Sequence, residues 1–281
     1  METRVKMVNK TIGLALSGGG HKGLAHVGVL KFLQEQQIDI QIISGTSAGA
    51  IVGSLYALGK SPNEILAFFR SVNLFNVNHL SLVKSGLFNA DKFMVYLDNI
   101  FGEMCLGDLA KELYISATNM ETGRSKIFGR HTKIKEAVVA SCAFPGIFSP
   151  VKVEGEIYSD GGILNNFPVN VIQGRCDYLI GVNLDRGADY KSAKEFALLP
   201  QVAWRAIDIM MAQNAAMQNR LCDWLINPEK IVQYNTFEIS DKRQQEIFQI
   251  GYQAAKREFH KVKDGLMRNK NHQPESPSSW W

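Results

Sequence analysis

The sequence predicts an α/β fold with a mostly parallel central sheet. Short apolar segments, typical of buried strands, alternate with segments whose apolar residues recur at helical spacing. The first strand and helix are predicted over residues 11–17 and 24–36, and the second pair over 38–44 and 48–59. Glycine-rich turns join the strand to the helix in both pairs. Repeated strand–helix units of this kind build a parallel sheet that is covered by helices.

The alternation continues along the rest of the chain. Further helices are predicted over residues 61–72, 91–101, 134–143, 201–225 and 240–263, further strands over 113–120, 123–129 and 178–184, and a hairpin over 152–162. The start of helix 61–72 carries a capping-box signature, with Ser61 as N-cap, Pro62 at the first helical position and Glu64 at the third.

The composition is that of a globular protein with a sizeable core, since 46% of the 281 residues are hydrophobic and 21% are charged. The chain contains neither an internal repeat nor a linker-like segment, so a single domain is predicted over residues 8–267. The polar, proline-bearing segment 268–281 is predicted to be a disordered tail.

Charge and cysteine content indicate where the protein acts. The net charge of +4 is modest and the basic residues are dispersed, which argues against nucleic-acid binding but permits contact with anionic lipid. The four cysteines are far apart and predict neither a disulfide framework nor a metal site. Without a signal peptide or an apolar run of about 18 residues, the chain is expected to be cytoplasmic, with peripheral membrane contact permitted.

The first glycine-rich turn, SGGGHKG at residues 17–23, has two functional interpretations. Its GxGxxG pattern, starting at Gly18, is typical of dinucleotide-binding folds, but their acidic residue ends the second strand, whereas Asp39 begins it. Alternatively, the backbone N–H groups of Gly18, Gly19 and Gly20 stabilise a developing negative charge and form an oxyanion hole. A tight turn with no further role explains the glycines as well.

The second turn, GTSAG at residues 45–49, fits the GxSxG nucleophile elbow in the required strand–turn–helix context. Gly45 and Gly49 allow the strand and the helix to come close, while the turn exposes the hydroxyl of Ser47. In a parallel sheet both turns fall at the carboxyl ends of strands, on one edge. The two turns are therefore expected to serve one acyl-transfer reaction with Ser47 as the nucleophile.

The residues alone leave the base for Ser47 open. The order Ser47, Asp160, His260 matches an α/β-hydrolase triad, but charged residues flank His260 on a predicted helix, which favours a solvated histidine. Asp160 ends a predicted strand and precedes two glycines. This pattern is equally typical of an ordinary Asp–Gly turn.

The motifs SGGGHKG, GTSAG and SDGG, in this order and spacing, resemble those of the patatin-like phospholipase family, above all its bacterial and neuropathy-target-esterase-like members. The similarity also includes GLAHVGVL, GAIVGSLYALG, ASCAFPGIFSPV and NNFPV, and it covers about residues 11–185. The resemblance implies a three-layer α/β/α domain.

The resemblance also implies a Ser–Asp dyad, with Ser47 as nucleophile, Asp160 as base and the N–H groups of Gly18–Gly20 as oxyanion hole. Lys22 stands where the family has Arg or Lys and is expected to brace the glycine loop. The other supporting positions are glycines, namely Gly23, Gly45, Gly49, Gly161 and Gly162. Because a free aspartate has a pKa of about 3.9, a rate profile without a histidine-like limb near pH ~6.5 is expected.

The substrates implied by the resemblance are lipid carboxylic esters, chiefly phospholipids or lysophospholipids, cleaved without a cofactor or a metal. Residues 73–90 are a candidate apolar lid, although an ordinary packed connection explains them as well. Met210, Met211 and Met217 are candidates for an adaptable acyl pocket, with a core helix as the alternative.

Two other classes of function stay open. The first is an acyltransferase of the malonyl-transferase type, but Thr46 replaces the histidine of its GHSxG motif. The second is a non-catalytic lipid-binding protein, which the intact motifs disfavour. The sequence does not predict an oligomeric state.

Overall fold

The computed structural model describes residues 10–71, 90–185, 192–197, 199–234 and 240–267. In these ranges eight strands form one sheet in the order β5-β6-β3-β2-β1-β7-β8, and β4 pairs with β3 beside this path. The strands are β1 (Ile12–Leu16), β2 (Ile42–Thr46), β3 (Glu112–Asn119), β4 (Arg124–Ile127), β5 (Val151–Val153), β6 (Glu156–Asp160), β7 (Tyr178–Val182) and β8 (Trp224–Ile226).

The centre of the sheet is parallel, as predicted. Strands β3, β2, β1, β7 and β8 run in the same direction, with Leu16 in register with both Gly45 and Val182. Strands β4, β5 and β6 pair antiparallel at one side. The five parallel strands therefore end together at one edge of the sheet, which we call the carboxyl edge, and begin together at the opposite edge, the amino edge.

Helices cover both faces of the sheet. They are α1 (Leu24–Glu35), α2 (Ala48–Ala57), α3 (Pro62–Ser71), α4 (Ala90–Phe101), α5 (Ile134–Ser141), α6 (Gly162–Asn165), α7 (Val169–Ile172), α8 (Leu199–Gln218) and α9 (Asp241–Met267). On one face, α1 packs against α9 and α3, and α2 and α5 pack on the sheet; on the other, α7 packs on β1 and β2, and α6 packs against α8. This is the expected three-layer arrangement.

Strands β1 and β7 are apolar throughout because both faces of the sheet are buried there. Leu14 and Leu16 of β1 point into the larger core, while Ala15 points into a smaller core on the opposite face, together with Phe167 and Leu179. Side chains of successive strand residues point to opposite faces. A strand between two helical layers therefore has no exposed face on which polar residues would be favoured.

The predicted start of α3 is confirmed by its capping contacts. The Ser61 N–H donates to Glu64 Oε2 at 2.8 Å, and the Glu64 N–H donates to Ser61 Oγ at 3.3 Å. Side chain and backbone thus satisfy each other reciprocally at the first turn of the helix.

Two predicted elements have the wrong bounds. The strand predicted over 38–44 runs from Ile42 to Thr46, and the side chain of Gln41 accepts the Ile12 N–H (2.7 Å) just before the strand begins. The helix predicted over 201–225 ends at Gln218, and Trp224 lies in β8 instead. Pairing with the free side of β7 outweighs helical spacing there, since local propensity is weak compared with tertiary contacts.

Some predictions fall on residues outside the described ranges. The candidate lid at 73–90 lies there except for Ala90, which begins α4, and so does the tail 268–281. The lid, the tail and the domain bounds 8–267 stay predictions. Among the helices of the described ranges, none combines the length and the apolarity that crossing a membrane requires.

Candidate active site

The two glycine-rich turns meet at the carboxyl edge. β1 leads into residues 17–23, which we call the glycine loop, and β2 leads into Ser47 at the start of α2. A Cβ on Gly23 would lie only 2.7 Å from the Cβ of Ala48, so the glycine loop packs directly on the residue after Ser47. The predicted apposition of the two turns is therefore present.

Ser47 occupies a strained elbow. Its φ of 52° and ψ of −119° belong to a region that residues other than glycine rarely adopt. The Ser47 N–H donates to Ser141 Oγ at 2.8 Å, and the Ser47 carbonyl accepts the Ala50 N–H at 2.8 Å. A side chain on Gly49 would overlap the carbonyl group of Leu16, which explains why glycine is needed where α2 approaches β1. The elbow leaves the Ser47 side chain half-buried at a helix N-terminus.

Asp160 reaches the same edge from an antiparallel strand. It ends β6 in register with Ala117, whose neighbour Ser116 is in register with Thr46. The side chain is buried, with 1% of the residue exposed. One carboxylate oxygen, Oδ1, accepts the Gly162 N–H at 2.7 Å. The other, Oδ2, is buried and has no hydrogen-bond partner of good geometry among the described residues.

The Ser47 hydroxyl lies against this carboxyl group. Burial raises the pKa of Asp160 to about 7, and interactions with the Gly162 N–H and the Ser47 hydroxyl offset only part of that rise. The Ser47 contact is a loose one, because Oδ2 has no closely aligned donor; catalytic hydrogen bonds are often long without substrate. The expectation of no titration in the histidine range is corrected, since burial moves the Asp160 carboxyl into that range.

The glycine loop also differs in part from its predicted role. The Gly18 N–H donates to the Asn166 carbonyl at 2.9 Å, so Gly18 is wrong as an oxyanion-hole donor. Gly18 is buried, and a side chain on it would overlap the side chain of Asn166, so its role is close packing. Gly19 and Gly20 are partly exposed, and no acceptor for their N–H groups is found in the part of the chain that the structure describes.

A buried network anchors the glycine loop to the sheet. The Ser17 N–H donates to Val182 O (3.1 Å), and Ser17 Oγ accepts the Leu184 N–H (2.9 Å). His26 Nε2 lies 2.8 Å from the Ser17 carbonyl. Burial lowers the pKa of His26 to about 4, so the ring is neutral at pH 7 and Nε2 carries the proton that it donates.

The residues after Asp160 bind both turns. The Asn165 carbonyl accepts the Thr46 hydroxyl (2.8 Å), and the Pro168 carbonyl accepts the Ser44 hydroxyl (2.8 Å). Together with the bond from Gly18 to Asn166, these contacts hold segment 165–168 against the ends of β1 and β2. Sequence reasoning missed this segment and also Ser141. Both lie in runs that carry the family resemblance, NNFPV and ASCAFPGIFSPV, but no local pattern in them predicts a role.

The remaining supporting residues lie around the two turns. The Lys22 N–H donates to the Gly19 carbonyl at 3.2 Å, within the glycine loop. Three glycines allow close backbone packing, with Gly45 against Gly49, Gly161 against Ser116 and Gly162 beside Asp160. The bracing role of the Lys22 side chain stays a prediction.

Two residues from the alternative interpretations lie outside this cluster. His260 is exposed, and its Nδ1 is 3.0 Å from the carbonyl oxygen of Arg257 on the same helix, in keeping with a solvated histidine. Asp39 precedes β2 at the amino edge, where it pairs with Lys111 at 2.8 Å. It therefore lies at the opposite edge from the glycine loop and is not placed to bind the ribose of a nucleotide at that loop.

An apolar surface borders Asp160. A Cβ on Gly162 would lie 2.5 Å from Met211 Cε, and the rings of Trp204 and Phe144 are 5.4 Å apart. Of the three methionines predicted to line an acyl pocket, Met211 lies beside Gly162, whereas 56% of Met210 and 66% of Met217 are exposed. The helix buries Ala212 and Ala215 on its inner face, and the acyl pocket stays a prediction. No group of three His, Cys, Asp or Glu side chains suited to a metal occurs in the described residues.

Comparison with known proteins agrees with this fold. Residues 14–172 match the family model described as patatin-like phospholipase. An uncharacterized NTE family protein of Mycobacterium tuberculosis is 31% identical over 210 residues, which cover 73% of this chain and 57% of that relative. Uncharacterized protein R571 of Acanthamoeba polyphaga mimivirus is 33% identical over 189 residues, covering 60% of this chain and 64% of R571.

A solved structure with the same fold is VipD from Legionella pneumophila, with a TM-score of 0.58 and 18% identity over 91% of this chain and 68% of VipD. This chain spans little more than half the length of the mycobacterial relative. The family model nevertheless covers more than half of the chain, including both glycine-rich turns and Asp160. The chain therefore belongs to the patatin-like phospholipase family, among relatives of the NTE type.

Proposed function

We propose that this protein is a serine acyl hydrolase that cleaves carboxylic esters of lipids, phospholipids or lysophospholipids, through a Ser47–Asp160 dyad. One observation carries the proposal: a serine in a strained elbow faces a buried carboxylate oxygen that has no closely aligned partner among the described residues. Membership of the family supports ester hydrolysis in general. The dyad, the oxyanion hole and the lipid substrate are our proposal.

In the acylation step, Asp160 Oδ2 accepts the proton of the Ser47 hydroxyl as Oγ attacks the ester carbonyl carbon. The carbonyl oxygen becomes an oxyanion, which the N–H groups of Gly19 and Gly20 stabilise. When the tetrahedral intermediate collapses, the carbon–oxygen bond to the alcohol breaks, and Asp160 returns the proton to that leaving oxygen. The products are the free alcohol and an acyl ester on Ser47.

Deacylation repeats these steps with water. Asp160 accepts a proton from a water molecule as its oxygen attacks the acyl carbon, and the same N–H groups stabilise the second oxyanion. Collapse breaks the bond to Ser47 Oγ, which takes the proton back from Asp160. A carboxyl group with a pKa of about 7 suits both roles, since it can accept and return a proton near neutral pH.

The apolar surface beside Asp160 supports a lipid acyl chain as the group that is bound. Met211 lies beside Gly162, and Phe144, which packs against Trp204, follows Ala143, whose carbonyl accepts the Asp160 N–H. Apolar side chains therefore lie near Asp160, and methionine adapts to chains of different shape. The proposal includes a cytoplasmic protein that meets its substrate at a membrane surface, which the net charge of +4 permits.

Labelling with an alkyl fluorophosphonate tests the proposal without knowledge of the natural substrate. The probe forms a covalent bond with a serine that is activated and faces an oxyanion hole. We expect the label on the peptide that contains Ser47, complete loss of labelling in Ser47→Ala, and severe loss in Asp160→Asn. Hydrolysis of phospholipid and lysophospholipid vesicles, compared with short p-nitrophenyl esters, then defines the substrate.

A non-catalytic lipid-binding protein gives a different result. It binds vesicles equally well with and without Ser47→Ala and takes up no probe, although circular dichroism shows a folded chain. An acyltransferase takes up the probe on Ser47 but turns over esters only when an acceptor alcohol or thiol is supplied. Labelling at another serine contradicts the proposed nucleophile.

A further inference from the structure

The C-terminal end of α5 contacts both members of the proposed dyad. Ser141, the last residue of this helix, accepts the Ser47 N–H on its Oγ at 2.8 Å. The same hydroxyl donates to the Ser116 carbonyl at 2.7 Å. Ser141 is fully buried, so water does not compete for these two bonds.

The next two residues complete the contact. The Cys142 thiol lies against the Ser47 hydroxyl, and burial raises its pKa well above the usual range, so it stays a neutral neighbour. The Ala143 carbonyl accepts the Asp160 N–H at 2.9 Å. Three consecutive residues therefore contact the backbone and side chain of Ser47 and the backbone of Asp160.

Ser116, which accepts the Ser141 hydroxyl, belongs to the strand between the two groups. In the sheet it is in register with Thr46, one residue before Ser47, and it precedes Ala117, which is in register with Asp160. Gly161 also packs closely on the Ser116 carbonyl group. The path from Ser47 N–H through Ser141 Oγ to Ser116 O thus ties the elbow to β3, the strand on which Gly161, the residue after Asp160, packs.

We propose that Ser141 is a positioning residue that holds the Ser47 elbow at its reactive distance from Asp160. The inference rests on the proposed function, because it requires Ser47 and Asp160 to be the reacting groups. A hydroxyl is suited to this position since it accepts one hydrogen bond and donates another at the same time. A methyl group leaves the Ser47 N–H and the Ser116 carbonyl unpaired, and the elbow loses the bond that opposes relaxation of its φ of 52°.

If Ser141 has a purely structural role, replacing it should affect the protein in the same way as replacing any other buried serine. The chain offers a matched control for this comparison. Ser54 of α2 is also fully buried, and among the described residues its hydroxyl bonds only to carbonyl groups of its own helix, at Ala50 and Ile51. Ser54→Ala therefore removes a buried hydroxyl from the same helix that Ser47 begins, without touching the elbow.

The experiment compares Ser141→Ala, Ser54→Ala and Ser47→Ala in the full chain, with kcat and KM for an ester substrate, the rate of fluorophosphonate labelling and the unfolding midpoint. For Ser141→Ala we expect kcat and the labelling rate to fall about 10- to 100-fold with KM within about twofold, because a small misplacement of reacting groups is costly. We expect Ser54→Ala to keep both rates within about twofold, whatever it costs in stability.

A pH profile separates positioning from destabilisation. The Ser47 hydroxyl lowers the pKa of the Asp160 carboxyl, so a displaced Ser47 moves the midpoint of kcat/KM to higher pH in Ser141→Ala but not in Ser54→Ala. The Cys142 thiol, the other titratable group against Ser47, is neutral throughout this range. If Ser141→Ala does not fold, Ser141→Cys replaces it, since a thiol is a weaker donor and acceptor and gives a smaller shift in the same direction.

Two outcomes overturn different claims. If Ser47→Ala is inactive while Ser141→Ala matches Ser54→Ala in kcat, labelling rate and pH midpoint, the positioning role is wrong and the proposed function stands. If Ser47→Ala keeps full activity, the proposed function itself is wrong, and the inference about Ser141 fails with it.

Discussion

The two edges of the sheet satisfy their polar groups in opposite ways. At the amino edge, side chains with access to solvent accept the N–H groups that precede or begin the strands. Asp177 accepts from Thr11 at 3.1 Å, Gln41 from Ile12 at 2.7 Å, and Asp223 from Leu179 at 2.7 Å. Each contact gives a hydrogen-bond acceptor to a backbone N–H that the strand ladder leaves unpaired, at a position close to solvent.

At the carboxyl edge, several buried polar atoms have no such partner, although the hydroxyls of Ser44 and Thr46 have one. Asp160 Oδ2, Ser116 Oγ and Asn166 Oδ1 are buried without a hydrogen-bond partner of good geometry among the described residues. Most buried polar atoms in proteins are paired, so a cluster of exceptions calls for an explanation. Departures of this kind are expected where a protein binds or reacts, and the comparison indicates that the carboxyl edge is arranged for a substrate at some cost in stability.

The largest expected difference between the edges is in catalysis. Asp160→Asn and Asp223→Asn make the same chemical change, and both keep an oxygen that can accept the existing backbone N–H. We expect Asp160→Asn to lower kcat/KM about 10³-fold or more because the base is lost. Asp223→Asn should stay within about twofold, as is usual for surface substitutions. Steady-state ester hydrolysis measures both, and equal losses in the two variants contradict the functional distinction between the edges.

The two variants should also differ in stability, but here the change at Asp160 is expected to be favourable. Burial raises the pKa of Asp160 to about 7, so between about pH 4 and pH 7 the folded state holds a proton that the unfolded state releases. The free energy of unfolding therefore falls as the pH rises through this window. Asp160→Asn removes the effect and should stabilise the protein above pH 7, by at most about 4 kcal/mol, with little gain near pH 4.

Urea unfolding of wild type, Asp160→Asn and Asp223→Asn at pH 5 and pH 8.5 checks this prediction. A gain for Asp160→Asn that is the same at both values of pH would show that the carboxyl group is not buried in its neutral form. Asp223→Asn is the control for the same chemical change at an exposed site.

The smallest expected effect is the pH dependence of the wild-type rate. If Asp160 is the base, kcat/KM should rise about tenfold per pH unit below a midpoint near 7 and level off above it. Because histidine titrates in the same range, the midpoint does not identify the group by itself. His260→Gln supplies the control and should keep the profile unchanged, since His260 contacts its own helix. Loss of the acidic limb in this variant assigns the limb to His260 instead.

Much of the fold could be predicted because local patterns and tertiary packing agree. The βα repetition and the apolar strand segments predicted the parallel sheet, and the capping residues predicted the start of α3. The prediction failed at Trp224, where the apolar spacing of α8 continues past Gln218 but the chain instead pairs with β7. Spacing cannot identify such a strand, because its partner lies about 40 residues earlier in the chain.

The candidate site, too, was predictable from the sequence only in part. The two glycine-rich turns identified Ser47 and the loop that faces it, since a strand–turn–helix motif is a local structure whose chemistry depends on adjacent residues. The family resemblance pointed to Asp160, which the residues alone left open. That Asp160 comes from an antiparallel strand, and that its pKa is raised to about 7, are consequences of pairing and burial.

By itself, then, the sequence determined the fold class, the family and the two turns, because these depend on spacing along the chain. Only the tertiary structure decided which groups are free to act. The Gly18 N–H donates to the Asn166 carbonyl and the Ser47 N–H donates to Ser141 Oγ, whereas Asp160 Oδ2 has no aligned partner among the described residues. Hydrogen bonds between residues some 90 to 150 positions apart depend on how the layers pack, and no local pattern records them.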